Sequence, residues 1–316
     1  MGVWLGRRSS RPHRFLATLG MTAGRFAPSP TGPLHFGSLV AAVGSWLFAR
    51  ASGGRWLVRI EDLDAPRVVA GSADEILNAL QRYGLEWDGE VVYQSARTHL
   101  YAAAFDRLRE HGFVYECGCS RADVQRAASA QADAELVYPG TCRDGLHGRV
   151  ARSIRFRAPE GPIAFTDLIR GPIVQSVGGD FVVKRADGPY AYQLAVVVDD
   201  AEQRVTQIIR GGDLLGSTAR QIALQSALGL AAPDYGHLPL IVGQDGSKLG
   251  KRDGALPLPS LDSRRVRDTL RAALRVLEIE AESDAPAAIL SSALARFDAR
   301  RLTARTTVVH NPEKLP

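Results

Sequence analysis

The sequence predicts an α/β fold built on a doubly wound parallel sheet. Short apolar strands alternate with helical segments from residue 24 to residue 112, as such a sheet requires. The alternation breaks near Phe113 and resumes near Phe181, which indicates an insertion, and two helical segments follow residue 256. Polar clusters follow several of the strands at their carboxyl ends, the edge at which open α/β sheets bind ligands.

Each element has a local signal. The predicted strands are 24–27, 53–60, 91–93, 190–198, 205–209 and 237–242, and the predicted helices begin near Phe36 and span 72–83, 98–111, 214–228, 264–277 and 285–297. Ser72 and Glu75 have the spacing of a capping box, which predicts Ser72 as the N-cap of its helix. Gly112 and Gly229 end two other helices, because glycine readily adopts the conformation that closes a helix.

Composition excludes some classes of protein. The chain has 316 residues, and no apolar run approaches the ~20 residues of a membrane span. Basic residues number 39 against 34 acidic ones, but four of the arginines lie in the acid-free first 20 residues. Net charge is therefore weak evidence for RNA binding. Three cysteines cannot form a complete set of intrachain disulfides. We expect a cytoplasmic monomer.

One stretch, R-F-A-P-S-P-T-G-P-L-H-F-G-S at residues 25–38, joins the first strand to the first helix. Its prolines stiffen the loop, and the helix start offers unpaired N–H groups and a positive dipole to an anion. His35 and Ser38 lie at this helix start, where their hydrogen-bonding groups can reach a phosphate. From this stretch alone, a proline-stiffened connection without a ligand is the alternative.

A second stretch, G-S-K-L-G-K-R at residues 246–252, places two ammonium groups three residues apart. The chain has only four lysines, and two of them, Lys248 and Lys251, lie here. A compact charge on a flexible stem suits a chain of phosphates. The two stretches therefore reinforce each other as parts of a phosphate-binding site.

Together, the two stretches resemble the signature motifs of class I aminoacyl-tRNA synthetases. H-F-G-S at 35–38 is similar to the HIGH motif, and K-L-G-K-R at 248–252 to the KMSKS motif, with Gly250 where the family usually has serine. R-I-E-D-L-D at 59–64, Y-Q-L-A-V-V-V-D-D at 192–200 and R-G-G-D-L-L-G-S-T at 210–218 are similar to the glutamyl branch. Within that branch the chain resembles the glutamyl-Q group, short paralogues of glutamyl-tRNA synthetase, from about residue 24 to residue 256.

The resemblance implies an ATP-dependent ligase. It would activate L-glutamate as glutamyl-adenylate without tRNA, and would transfer glutamate to the queuosine of tRNA(Asp), with Mg²⁺ accompanying ATP. The implied ATP-binding residues are His35, Gly37, Ser38, Lys248 and Lys251, all but Gly37 catalytic, and the implied glutamate-binding residues are Arg25, Ser29, Glu61, Tyr192 and Arg210. The chemistry agrees, because an amino acid with two carboxylates and one ammonium needs at least two cations and one anion.

The inserted segment holds all three cysteines. Cys117 and Cys119 form a C-x-C pair, and Tyr138 lies four residues before Cys142. Thiolates at such spacing suit tetrahedral zinc, and a phenolate oxygen could complete the set. Three reduced, unliganded cysteines are the alternative. The resemblance favours one structural zinc ion, because the glutamyl-Q group carries the same C-x-C and Y-x-x-x-C pattern in this insertion.

Residues 143–157 carry five arginines and one acid, Asp144. A guanidinium can pair with a phosphate through two bonds, so this patch predicts a contact with tRNA beside the zinc site. A solvated strand face is the alternative. Asp62 and Asp64 likewise either belong to the ligand site or pair with nearby arginines, Arg59 or Arg67.

The predicted organisation follows from these assignments. Residues 1–20 are a disordered extension or precede a true start at Met21, residues 21–112 and 181–256 are the halves of a Rossmann-type catalytic domain, 113–180 are the zinc-containing, acceptor-binding insertion, and 257–316 are a helical C-terminal region without an anticodon-binding domain. The rival interpretations are an ordinary or truncated glutamyl-tRNA synthetase, a non-catalytic synthetase-like RNA-binding module, and a small-molecule nucleotidyltransferase. An intact His35 and two loop lysines argue against the non-catalytic module.

Overall fold

The computed structural model describes residues 21–127, 137–243, 258, 262–302 and 307–309. Its strands are β1 (Ala23–Phe26), β2 (Arg55–Ile60), β3 (Val92–Tyr93), β4 (Val114–Cys117), β5 (Ser153–Phe156), β6 (Ile163–Asp167), β7 (Gly171–Gln175), β8 (Phe181–Lys184), β9 (Gln207–Gly211), β10 (Asp234–Leu238), β11 (Leu240–Val242) and β12 (Thr307–Val309). Its helices are α1 (Phe36–Ala51), α2 (Ser72–Arg82), α3 (Thr98–Glu110), α4 (Arg121–Ala127), α5 (Tyr192–Glu202), α6 (Leu215–Ala227), α7 (Ser263–Val276) and α8 (Pro286–Arg296). None of the helices described is long and apolar enough to cross a bilayer. The predicted extension at 1–20 lies outside the described residues.

A parallel sheet forms the centre of the fold. Strands β1, β2 and β3 pair in parallel, and β9, β10 and β6 pair in parallel beside them. The two sets adjoin where the N–H of Thr206, just before β9, donates to the carbonyl oxygen of Ala23 at 2.9 Å. The α/β class and the parallel sheet predicted from the sequence are confirmed. Strand order runs β3-β2-β1-β9-β10-β6, so it reverses between β1 and β9, and such a reversal opens a ligand crevice at the strands' carboxyl ends.

The segment predicted as a strand at 190–198 is a helix instead. Helix α5 begins at Tyr192, packs against α3 and α6, and buries every residue from Leu194 to Asp200. The prediction was wrong because a continuous apolar run has no period, and a fully buried helix produces it as readily as a buried strand. The helix carries Asp199 and Asp200 into the interior.

Two predicted details differ from the structure. The N-cap position of α2 is taken by Gly71, at φ 75°, and not by Ser72. The Oγ of Ser72 instead accepts from the N–H of Gly32 at 3.0 Å and donates to the carbonyl oxygen of Gly32 at 2.9 Å. This serine therefore connects α2 to the loop between β1 and α1. The predicted strand 237–242 is divided into β10 and β11 at Pro239, because proline has no N–H to continue a ladder.

Antiparallel strands follow between α3 and α5. Strands β4, β5 and β8 form one sheet in that order, and β6 and β7 form a hairpin. Strand β6 also pairs in parallel with β10, where Asp167 lies opposite Tyr235. The chain between α3 and α5 therefore joins the central sheet through β6.

Two apolar clusters hold the layers together. One lies between α1, the first strands, α2 and the C-terminal helices, around Trp56 and Leu270, and the other lies between α3, β8, α5 and α6, around Tyr101 and Val196. Helices α7 and α8 lie where helices were predicted, at 264–277 and 285–297. Strand β12 lies beside β11 in parallel register, so this region also extends the sheet structure.

Candidate active site

The loop between β1 and α1 is held by neighbouring chain on both sides. The carbonyl oxygen of Pro28 accepts from the N–H of Glu61, and that of Pro30 from the N–H of Val69, each at 2.9 Å. Because the prolines also fix their own backbone torsions, the loop loses little further freedom when a ligand binds.

The start of α1 gathers three residues predicted to bind ATP. His35 is the N-cap, and its Nδ1 accepts from the backbone N–H of Ser38 at 3.4 Å. A Cβ at Gly37 would lie 3.2 Å from Cε1 of His35, so the lack of a side chain at this glycine leaves room for the imidazole. All three residues are partly exposed at the positive end of a 16-residue helix, where an anion is favoured.

Buried charges behind this loop connect β1, β2 and α5. Arg59 is fully buried and donates from Nη1 to Oδ1 of Asp200 at 2.8 Å and from Nη2 to Oε1 of Glu61 at 3.3 Å. Its Nε lies 3.7 Å from Oδ2 of Asp199. Arg25 donates from Nε to the same oxygen of Asp200 at 3.3 Å. The network thus links Arg25 and Glu61, two of the residues predicted to bind glutamate.

These charges perturb one another's ionisation. Burial raises the pKa of Glu61, although Arg59 and Arg25 oppose the shift. Burial would raise the pKa of Asp200 too, but the Arg25 and Arg59 guanidiniums outweigh it and lower that pKa. Asp200 is therefore held ionised as the shared partner of two arginines. Glu61 is a carboxylate whose charged form is less well stabilised, and such a group gains most from an incoming cation.

Arg210, near the carboxyl end of β9, has a different environment. It is 3% exposed, and its Nε donates to Nε2 of His237 at 3.0 Å. Its Nη1 donates to Gln221 at 2.8 Å, and its Nη2 donates to Thr218 at 3.0 Å and to the carbonyl oxygen of Leu214 at 3.3 Å. Every one of these acceptors is neutral. No carboxylate of the described chain segments forms an ion pair with this buried guanidinium.

The five residues predicted to bind glutamate lie on adjoining elements. Burial and the charge of Glu61 raise the pKa of the Tyr192 phenol, at the start of α5. The charges of Arg210 and Arg25 oppose this rise. Four of the five residues therefore lie within electrostatic reach of one another at the reversal of strand order. Ser29, the fifth, is exposed in the turn of the loop between β1 and α1.

Two acids near the pocket have structural partners. Asp64 accepts from Nε of Arg67 at 2.5 Å, and Asp62 accepts from the N–H and the hydroxyl of Ser95 at 2.8 and 2.6 Å. The pairing interpretation is confirmed for Asp64, and Asp62 is engaged by a serine rather than by an arginine. The lysine loop lies outside the described residues, so the roles of Lys248 and Lys251 stay predictions, as does the effect of Gly250.

A second candidate site lies at the end of β4. The sulfurs of Cys117, Cys119 and Cys142 are all buried and lie within 4.8 Å of one another, an arrangement that could hold a metal ion. The phenol oxygen of Tyr138 lies 3.4 Å from the sulfur of Cys117 and 3.8 Å from that of Cys119, and it accepts from the N–H of Cys142 at 2.8 Å. The four side chains singled out in the sequence therefore converge.

Arg155 belongs to this cluster and not to an RNA-facing patch. It is 8% exposed, and its Nε donates to the sulfur of Cys117 at 3.2 Å. Its guanidinium carbon lies 3.7 Å from the centre of the Tyr138 ring. Although burial raises it, hydrogen bonds from Tyr138 and Arg155 lower the pKa of Cys117 to about 7, so the thiolate forms readily.

Sequence reasoning assigned no role in the pocket to four of its residues. These are Arg59, Asp199, Asp200 and His237. The sequence did contain a signal for Asp199 and Asp200. They end an apolar run, so their carboxylates are expected to be buried, and buried carboxylates require cationic partners. His237 had no comparable signal, since a lone histidine in an apolar strand is more often a packed core residue than a ligand contact.

Strand order and the capped start of α1 define a nucleotide-binding α/β protein. The family described as tRNA synthetases class I (E and Q), catalytic domain, matches residues 22–277. A glutamyl-Q tRNA(Asp) synthetase from Geobacter sulfurreducens is 58% identical over 241 residues, which cover 74% of this chain and 77% of that protein. One from Pseudomonas putida strain W619 is 49% identical over 90% of this chain and 96% of its own. The chain belongs to this class I family, and within it to the glutamyl-Q tRNA(Asp) synthetases.

Solved structures agree with the sequence comparison. A glutamate tRNA ligase from Elizabethkingia meningosepticum, in complex with its amino acid, matches with a TM-score of 0.74 at 27% identity, over 94% of this chain and 68% of that one. Glutamate-tRNA synthetase from Elizabethkingia anophelis matches with a TM-score of 0.76 at the same identity, over 94% of this chain and 69% of its own.

Proposed function

We propose that the chain activates L-glutamate with ATP and transfers the glutamyl group to the queuosine of tRNA(Asp). In the first step a carboxylate oxygen of glutamate attacks the α-phosphorus of ATP, and pyrophosphate leaves. In the second step a hydroxyl of the queuosine cyclopentenediol attacks the carbonyl carbon of the adenylate, and AMP leaves as the ester forms. The names of the curated relatives support this assignment.

The buried guanidinium of Arg210 carries the proposal. Arg25 and Arg59 share Asp200, whereas Arg210 forms no ion pair with a carboxylate of the described residues, and the His237 imidazole separates it from Asp167. A carboxylate of glutamate would supply this missing partner. The side chain of glutamine has no charge and would leave Arg210 uncompensated in a buried site, which is costly.

These observations support one role for each pocket residue. Arg210 and Arg25 bind the two carboxylates of glutamate, and Glu61 binds its ammonium group. Tyr192 and Ser29 complete the pocket. The raised pKa of Glu61 supports its role, because an ammonium restores the stabilisation that burial removes from the carboxylate.

ATP binds, in this proposal, with its phosphates at the start of α1. His35, Gly37 and Ser38 hold the triphosphate, and Lys248 and Lys251 close over it as charge moves onto the leaving pyrophosphate. Mg²⁺ accompanies the nucleotide and supplies further charge neutralisation. The protein contributes positioning and charge stabilisation rather than covalent chemistry, as is usual for attack at phosphorus.

The cysteine cluster is assigned as a structural zinc site. With zinc about 2.3 Å from sulfur and about 2.0 Å from oxygen, a tetrahedral ion separates two sulfurs by about 3.8 Å and sulfur from oxygen by about 3.5 Å. Cys119 and Cys142 have sulfurs 3.7 Å apart, and the Tyr138 oxygen lies 3.4 and 3.8 Å from two sulfurs. The donors therefore fit zinc in number, type and spacing. Three thiolates and a phenolate around Zn²⁺ would leave two negative charges, of which the Arg155 cation offsets one.

The tRNA contact is assigned to the surface beside this zinc site. Arg149 and Arg152 are exposed there, whereas Arg155 is committed to the cysteines. Exposed guanidiniums of this kind position a nucleic acid through its phosphates and carry no base specificity.

The decisive test charges total tRNA with labelled glutamate, using tRNA from cells that make queuosine and from cells that cannot. Label should accumulate on tRNA(Asp) only in the first preparation. Glutamate-dependent exchange of pyrophosphate into ATP should proceed without tRNA, because the glutamate pocket and the start of α1 lie in one core. Label on tRNA(Glu), or exchange only with tRNA present, would favour a truncated glutamyl-tRNA synthetase. No exchange under any condition would favour a non-catalytic module.

A further inference from the structure

A buried hydrogen-bonded chain runs from Asp167 through His237 to Arg210. These residues lie on β6, β10 and β9, three neighbouring strands of the central sheet. The Nδ1 of His237 lies 2.5 Å from Oδ2 of Asp167, and its Nε2 accepts from Nε of Arg210 at 3.0 Å. All three side chains are buried, and His237 has no exposed surface.

The partners determine where the imidazole proton lies. An arginine Nε–H can only donate, so Nε2 of His237 accepts and the ring proton is on Nδ1, which donates to Asp167. Thr218 fits the same pattern, because its Oγ1 accepts from Nη2 of Arg210 at 3.0 Å and lies 3.1 Å from Nε2 of His237, to which it can donate its own hydrogen. If the ring were doubly protonated, its Nε2–H would face the Nε–H of Arg210, and two donors would meet without an acceptor. Burial lowers the pKa of His237, which agrees with a neutral ring.

Asp167 is itself held in a single orientation. Its Oδ1 accepts from the backbone N–H groups of Ile169 and Arg170 at 2.9 Å each, and from that of His237 at 3.2 Å. The guanidinium of Arg170 donates to the carbonyl oxygens of His237 and Leu238 at 3.2 and 3.4 Å. Oδ2 is therefore directed to Nδ1 of the imidazole, and backbone N–H groups of the β6–β7 turn and of β10 fix the carboxylate.

This arrangement orients Arg210 without cancelling its charge. Four of the five N–H bonds of a guanidinium have acceptors here among the described residues, and each acceptor is neutral. A carboxylate in place of the imidazole would form an ion pair and remove the positive charge that a substrate carboxylate needs. The imidazole instead separates Asp167 from Arg210 by the width of its ring.

We propose that Asp167 and His237 are positioning residues of the glutamate pocket. Asp167 fixes the tautomer of His237, and Nε2 of His237 fixes the Nε edge of Arg210, so the guanidinium faces the substrate with its charge intact. The proposal rests on the role in glutamate binding that is proposed above for Arg210. Neither residue is assigned a contact with the reacting atoms.

Two substitutions at His237 distinguish its hydrogen bond with Arg210 from its hydrogen bond with Asp167. His237→Gln keeps an acceptor oxygen near the place of Nε2, and His237→Asn keeps a polar group near Nδ1 only. In glutamate-dependent pyrophosphate exchange, we expect His237→Asn to raise the KM for glutamate about tenfold or more, the typical effect of losing a hydrogen bond to a charged group. The KM for ATP should change less than about twofold, and His237→Gln should recover most of the loss for glutamate.

Ser45→Ala is the matched control. It removes a buried hydrogen bond, from Nε1 of Trp56 to the hydroxyl of Ser45 at 3.0 Å, between α1 and β2, and neither residue is among the partners of Arg210 or His237 named above. It should lower thermal stability without a selective change in the glutamate KM. If His237→Asn and the control had the same kinetic profile, or if His237→Gln were no better than His237→Asn, the positioning role would be overturned.

Two further measurements keep the proposal testable if His237→Asn does not fold. Asp167→Asn allows an amide to donate to Nδ1, which moves the ring proton to Nε2 against Arg210, so the glutamate KM should rise as well. In the wild type, ¹⁵N NMR of the labelled histidine should show the proton on Nδ1, and a proton on Nε2 would overturn the proposal without reference to activity. Absence of glutamate-dependent exchange in the wild type would instead contradict the proposed function.

Discussion

Replacing Arg59 by methionine removes the cation on which three buried carboxylates converge. Arg59 is fully buried, with contacts at 2.8 Å to Asp200, 3.3 Å to Glu61 and 3.7 Å to Asp199. Methionine keeps most of the apolar stem, so the main loss is charge. Removing one partner of a buried ion pair costs about 3–5 kcal/mol of the free energy of unfolding. At roughly 2–4 °C per kcal/mol, Tm should fall by about 6–20 °C.

Urea unfolding followed by circular dichroism measures this loss, with Arg55→Met as the control. Arg55 begins the same strand, β2, and is exposed, so its replacement should change the free energy of unfolding by no more than about 0.5 kcal/mol. If the two variants lost equal stability, or if Arg59→Met lost less than about 1 kcal/mol, the buried network would not have the energetic role assigned to it.

The pH dependence identifies the cause of the loss. Without Arg59, the carboxyls of Glu61 and Asp200 lose a stabilising cation, so their pKa values in the folded variant should rise. As pH falls, protonation removes these unpaired charges. The difference in free energy of unfolding between the wild type and the variant should therefore shrink between about pH 8 and pH 5. A deficit that stayed constant over this range would indicate lost packing instead of unpaired charge.

The other predictions concern the lysine loop, the zinc site and His237. Lys251→Ala should lower the maximal exchange rate by about 10²–10³ with little change in the KM for glutamate, and a change in that KM alone would contradict its role at the phosphates; Gly250→Ser should be neutral or mildly activating. Metal analysis should find one zinc per chain, and Cys119→Ser should lower both zinc content and Tm, whereas a metal-free preparation of unchanged Tm would remove the site. Burial lowers the pKa of His237 in the folded chain, so below about pH 6.5 the unfolded chain takes up a proton there that the folded chain does not. The free energy of unfolding should therefore decrease as pH is lowered, and it should decrease less steeply in His237→Gln. Parallel slopes for the two proteins in urea unfolding would contradict this.

The local parts of the candidate site could be predicted from the sequence because their signals are local. Prolines and glycine in the loop before α1, His35 at the helix start and the spacing of the cysteines each act over a few residues. The capping and turn preferences that act at this range depend on backbone geometry that the residue itself imposes. The helices α7 and α8 were predicted for the same reason, from their own periodicity.

Errors arose where the answer depends on what lies across the interior. The apolar run before Asp199 has no period, and only its packing between α3 and α6 makes it the helix α5. Ser72 has the sequence of a cap, but the nearby backbone of Gly32 takes its hydroxyl. Arg155 looks like its neighbours in a basic stretch, yet it faces the sulfur of Cys117.

The sequence by itself determined the α/β class, the stiff loop between β1 and α1, and the residue types that an acidic amino acid and a metal require. Only the tertiary structure decided which arginine has a free charge. Arg25 and Arg59 share Asp200, whereas Arg210 is bonded only to neutral groups within the part of the chain that the structure describes. Nothing near any of them in the sequence distinguishes the three. The physical reason is that a buried charge depends on partners brought from distant strands and helices, and those partners exist only once the sheet has formed.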